Sequence, residues 1–171
     1  MEILINDTNI LLDLIRLDIL DKFFELPFDF RTVDFVVDEI NDPHQLETIN
    51  SYIKSGRLYV KTFSAEELSE IFDLKNNFVG NLSLTDVSVI FYARTINNCR
   101  LLTGDKQMRK QAIKLNLKIN GILFVFESLI ESKILRSGEG IEKLRELQKI
   151  NHRLPSAEIE ELIHKWSIPA K

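Results

Sequence analysis

The chain has almost no cysteine. Cys99 stands alone, which excludes an intrachain disulfide framework and fits a reducing compartment. It lies just before a short apolar run, the setting of a buried structural thiol rather than a nucleophile. Histidine is scarce as well: His44, His152 and His164 show no ligand spacing, and without a second thiolate a structural zinc site is not expected. Long apolar runs are missing, and nothing reaches the ~20 residues a membrane helix needs. The opening Met1-Glu-Ile-Leu-Ile enters a strand pattern without a basic leader, so the expectation is a cytoplasmic protein with no membrane partner. Positive charge is not in excess, the formal net charge being -4, so nothing global advertises nucleic acid. A nuclease, however, keeps acids in its site and its bases in a local patch. No glycine-rich phosphate loop is present, which argues against a nucleotide-binding ATPase or a dinucleotide enzyme.

What is present is an ordinary globular chain. Its 171 residues, 44% hydrophobic and 28% charged, suffice for one domain with a sizeable core. Strand and helix patterns alternate. Glu2 to Asn6 reads as a strand, and Asp7-Thr-Asn9 supplies cap chemistry for a helix from Ile10 to Phe24. Arg31 to Val37 is β-rich, with Asp38-Glu39-Ile40 on a short helix at its end. Pro43 opens a helix that Gly56 stops. Leu58 to Phe63 alternates as a strand, and Ser64-x-x-Glu67 is a capping box for a helix to about Asn77. A second box, Ser83-x-x-Asp86, opens the next helix. Arg100 to Thr103 is a buried strand, Lys118 to Asn120 the last one, and Gly121 to Lys133 an apolar helix. Ser137 to Gly140 reads as a turn before a helix from Ile141 to Ile150, and Pro155-Ser156 opens a closing helix through Trp166. The pattern predicts an α/β fold, a three-layer α/β/α sandwich with a mostly parallel central sheet and extra C-terminal helices.

In such a sheet right-handed crossovers bring successive strand ends to one edge, and ligands bind outside the carboxyl ends near the point where strand order reverses. Asp7 follows the first strand, Glu39 the second and Asp105 the fourth. Asp86 comes from the start of the helix before the fourth strand and shares a face with Val89, Ile90 and Ala93, so its carboxylate should point inward or into a cleft. Four acids far apart in sequence are thereby predicted to converge. Like charges held close need a cation or shared protons, and an all-oxygen site suits Mg²⁺ or Mn²⁺. A bound divalent ion activates water and offsets charge on a phosphate, which makes phosphodiester hydrolysis the natural reaction class. Asn9 and Thr103 are placed to orient the acids, and Lys106 and Arg109 to meet substrate phosphate. Taken singly, Asp7 and Asp105 read as N-caps, Asp86 as half a capping box and Glu39 as a solvated acid. The functional weight comes from their coincidence at one sheet edge.

The ordered set Asp7-Thr-Asn9, Glu39, Thr85-Asp86 and Leu101-Leu-Thr-Gly-Asp105-Lys106, with Arg109 just behind, resembles the PIN domain over roughly residues 1–135. That resemblance implies a small Mg²⁺- or Mn²⁺-dependent ribonuclease of the kind that includes the VapC-type toxins of toxin–antitoxin pairs. Its metal-binding and catalytic acids fall on Asp7, Glu39, Asp86 and Asp105. The implied partners are an RNA substrate, an antitoxin protein and a second copy of the chain; the apolar stripes at Leu144 and Leu147 and at Ile159, Leu162 and Trp166 fit self-association and core packing equally well. The tail also resembles a subgroup of predicted nucleic-acid-binding PIN proteins that carry a Gly-Thr-Leu-Gly segment after the last strand. Here the segment is Gly121-Ile-Leu-Phe124, and only its first Gly and its Leu agree. The next acid after Asp105 is Glu127, inside a predicted helix, so four ligands are counted and no fifth. Residues 1–135 are read as the nuclease-like domain and 136–171 as a helical extension packed on it. The alternative reading is a non-catalytic RNA-binding or scaffold protein of the same fold. A receiver-like phosphoryl-transfer domain is disfavoured, since it would show paired acids soon after the first strand and a lysine after the last.

Overall fold

The computed structural model describes residues 1–168; the last three residues of the extension assigned above lie outside that range. Five strands form one wholly parallel sheet: β1 (Ile3–Asn6), β2 (Asp29–Val33), β3 (Tyr59–Lys61), β4 (Cys99–Leu102) and β5 (Lys118–Asn120), in the order β3-β2-β1-β4-β5. Register pairs Ile5 with Arg31 on one side and with Leu101 on the other. Adjacent residues of a strand face opposite sides of a sheet. Leu4 and Ile5 are both 0% exposed, as are Leu101 and Leu102, so the sheet is covered on both faces. This is the α/β sandwich the alternation predicted.

The helices are α1 (Thr8–Arg16), α2 (Leu20–Phe23), α3 (Asp34–Asp38), α4 (Pro43–Lys54), α5 (Ala65–Asn77), α6 (Leu84–Arg94), α7 (Lys106–Lys114), α8 (Ile122–Glu131), α9 (Ser137–Ile150) and α10 (Ser156–Ser167). Helix α6 packs across β1, β2 and β4, with α3, α5 and α7 beside it. It is apolar on most sides, and Val87, Val89 and Ile90 are fully buried. Both capping boxes form as the spacing predicts, at Ser64 with Glu67 and at Ser83 with Asp86.

Three expectations need correction. The helix expected from Ile10 to Phe24 is two helices, because Asp18 takes a left-handed conformation (φ 54) that breaks the ladder. The break turns both Leu17 and Ile19 into the core. The strand expected from Arg31 to Val37 ends at Val33, and Asp34–Asp38 is helical. Asp34 starts that turn by accepting the Phe35 amide at 2.9 Å, and Phe35 packs beside Phe63, so tertiary contacts override the β-propensity of Val36-Val37. Ser137 to Gly140 is the first turn of α9 rather than a separate turn. Gly140 serves packing there: a Cβ would lie 2.7 Å from Ile130 Cδ1 of α8. Leu144, Leu147, Ile159 and Trp166 all lie in the core, so those stripes are spent on packing against the rest of the chain. Among the described residues no helix is long and apolar enough to cross a membrane.

Candidate active site

Strand order reverses between β1 and β4, and the site lies at their carboxyl ends. Asp7 follows β1 directly, and its amide donates to Leu102 O of β4 at 3.1 Å. It occupies the N-cap position of α1, yet its carboxylate makes no capping bond. Instead Asp7 Oδ2 accepts from Thr103 Oγ1 at 2.8 Å, and the same hydroxyl accepts the Asp105 amide at 3.0 Å. Thr103 therefore bonds to the carboxylate of one acid and the backbone amide of another.

Asp105 caps α7: its Oδ1 accepts the amides of Gln107 and Met108, each at 2.8 Å. Asp86 is half-buried and closes its capping box, Oδ2 accepting the Ser83 amide at 2.8 Å while its own amide donates to Ser83 Oγ at 3.0 Å. For these two acids the capping reading is realised. It leaves one carboxylate oxygen of each outside those bonds, so capping and ligation are compatible. Glu39 sits at the C-terminal end of α3, and its Oε2 accepts from Thr8 Oγ1 at 2.8 Å. Thr8 was not singled out among the orienting residues, although it is the middle residue of Asp7-Thr-Asn9.

The electrostatics register the convergence. Asp7 is 3% exposed, and burial pushes its carboxyl up to about 7. The Thr103 hydrogen bond opposes the rise, while the charges of Asp86 and Glu39 add to it. Asp86 is raised as well, first by burial, with Asp105 and Glu39 contributing repulsion and the Ser83 bonds opposing. Asp7 and Asp86 thus each register the charge of acids brought from distant parts of the sequence. Asn9 and Lys106 are exposed and line a neighbouring cavity rather than touching the acids, and Arg109 Nη1 donates to Thr103 O at 3.3 Å.

The donor set fits a hard divalent cation: it is all carboxylate, it is mutually repelling, and it includes a buried acid that forms no ion pair among the described residues. Among the described residues, however, no three acidic, histidine or cysteine side chains stand close enough to form a ready-made cage. Each carboxylate is engaged by a hydroxyl or amide of its own neighbourhood, and ligation requires the oxygens left over to turn toward a common point.

A buried acid at the switch point of a parallel sheet, with Glu39, Asp86 and Asp105 brought to the same edge, defines a class of α/β protein with carboxylates at its strand ends. The chain belongs to the PIN domain family: a family model described as a PIN domain matches residues 3–167, which runs through α9 and α10 to its last residue. PIN domains are generally nucleases and generally use divalent metal ions. Among solved structures, the chain is similar to a PilT N-terminus domain protein from the hyperthermophilic archaeon Sulfolobus solfataricus P2. The two are 18% identical with a TM-score of 0.46, over 75% of this chain and 94% of that one. No curated protein matches the chain.

Proposed function

We propose that the protein is a metal-dependent endoribonuclease, hydrolysing RNA phosphodiester bonds with Mg²⁺ or Mn²⁺ held by Asp7, Glu39, Asp86 and Asp105. The observation that carries this reading is Asp7: a buried carboxylate that feels the charges of Asp86 and Glu39 and, among the described residues, forms no ion pair. Such an arrangement is unfavourable for folding and is retained where a positive ligand compensates. When bound, the ion supplies activation of water and offsets charge on the phosphodiester. The chain's own residues do the positioning. Thr103 holds Asp7 and the Asp105 amide, Thr8 holds Glu39, and Ser83 holds Asp86. Lys106, at the first position of α7, and Arg109, three residues on, lie on one side of that helix and face substrate phosphate.

The test is cleavage of a mixed structured RNA with Mn²⁺ or Mg²⁺, comparing wild type with Asp86→Asn. Cleavage that needs the ion and disappears in a folded variant supports the reading. A second reading, a scaffold that binds RNA without cutting it, is favoured by the open spacing of the acids; ion binding without cleavage of any RNA would select it. The toxin role is a refinement of the first reading. It predicts that expression arrests growth, that Asp86→Asn relieves the arrest, and that a protein inhibitor binds over the acid cluster.

A further inference from the structure

Beside the acids lies a cavity of about 540 Å³ that meets the cluster only at Asp105. Its near wall is Asp105 to Arg109 and Gly121; its far wall is the turn between α9 and α10, carrying Asn151, Arg153 and Leu154. The far wall is fixed by design of the hydrogen bonds. Asn151 Nδ2 donates to Asp13 Oδ2 at 2.8 Å, and Asn151 Oδ1 accepts the Arg153 amide at 3.1 Å. Asp13 is 5% exposed, and its other oxygen accepts from Arg16 Nη1 at 3.3 Å. One buried carboxylate on α1 therefore anchors a guanidinium and a loop that begins 138 residues away. Cations therefore stand on both sides of the cavity. Lys106 and Arg109 stand next to the acids, Arg16 and Arg153 stand across the cavity, and among the described residues Lys106, Arg109 and Arg153 form no ion pair. Of the acids on the cavity wall away from the cluster, Asp13 is matched by Arg16 and Glu127 by Lys165 at 3.5 Å, leaving Glu158 exposed.

We propose that this cavity seats the nucleotide next to the scissile phosphate, with Arg153 taking the following phosphate of a single strand. The proposal rests on the nuclease reading and deepens it by naming a substrate-binding residue outside the acid cluster, Arg153, and the contact that positions it. Volume is the reason for a single strand: drug-sized ligands fill ~300–1,000 Å³, so this space takes one or two nucleotides and no duplex. Leu123, Phe124 and Leu154 give a base an apolar floor. Arg153 is a binding residue in this scheme, and Asn151 a positioning residue.

The experiment measures anisotropy of a labelled short single-stranded RNA in EDTA, so that nothing is cut, over a salt series. Arg153→Ala weakens binding about fivefold to tenfold and lowers the slope of log affinity against log salt by about one. Asn151→Ala moves affinity the same way by freeing the turn, whereas Lys54→Ala, on α4 outside the cavity, leaves it unchanged. A duplex of the same sequence is indifferent to Arg153→Ala. In parallel, Mn²⁺-dependent hydrolysis of bis(p-nitrophenyl) phosphate, too small to reach the far wall, is unchanged in Arg153→Ala. Equal affinity and slope for wild type and Arg153→Ala, no binding by wild type, or equal losses with duplex would overturn the proposal. Loss of the small diester's hydrolysis in wild type would instead strike the nuclease reading, so the two failures are distinguishable.

Discussion

Replacing Asp7 by Asn tests whether the buried acid destabilises the ion-free fold. In the folded chain its carboxyl is raised from 3.8 to about 7, chiefly by burial. Between those values the folded state keeps a proton that the unfolded state has released. Stability therefore falls as pH rises from about 4 to about 7 and is level above that. The interval covers about three pH units at ~1.4 kcal/mol each, a penalty of ~4 kcal/mol at pH 8. That is a large share of the ~5–15 kcal/mol a domain typically has. Asn keeps the shape and an oxygen for Thr103 Oγ1, which donates at 2.8 Å, and removes the charge. In EDTA, urea unfolding should show Asp7→Asn more stable than wild type at pH 8, with a gain ~3 kcal/mol larger than at pH 5. Saturating Mn²⁺ should reverse the order, since the cation stabilises the chain that binds it. A gain independent of pH, or a variant less stable than wild type at pH 8, would refute the reasoning.

Further outcomes follow from the same hydrogen bonds. Thr103→Val leaves Asp7 without its donor and the Asp105 amide without its acceptor; it should cost ~1–3 kcal/mol in unfolding experiments and slow cleavage, whereas Thr103→Ser should retain both. Ser83→Ala removes the cap of α6, should lower stability by ~1 kcal/mol, and should weaken Mn²⁺ binding by loosening Asp86. Leu144→Ala, at a side chain 0% exposed, should cost ~2–5 kcal/mol by thermal or urea unfolding. Mn²⁺ at a hundredfold over its Kd should add ~2.7 kcal/mol to wild-type stability, an increment that EDTA removes.

Much of this fold is written in local signals. The strands Lys118–Asn120 and Ile3–Asn6, the two capping boxes and the Pro43 helix start are each set by neighbours in sequence, so spacing alone reveals them. The misreadings occur where distant contacts decide. Val36-Val37 looks like strand, but Phe35 docking beside Phe63 makes it helix. Gly140 looks like a turn residue, but it is the point where α9 closes on Ile130. The acids at positions 7, 39, 86 and 105 are legible because a parallel sheet sends its strand ends to one edge. That Thr8 reaches across to Glu39, and that Asp13 fastens Asn151, depends on side-chain geometry between elements that no periodicity encodes. The wall carrying Arg153 is illegible for the same reason.

The most direct measurement is a Mn²⁺ titration followed by RNA cleavage in the same samples, for wild type, Asp7→Asn and Asp86→Asn. The account predicts saturable Mn²⁺ binding and cleavage by wild type, with both lost or severely weakened in each folded variant. Wild type that binds no ion, or variants that bind and cleave as wild type does, would contradict it.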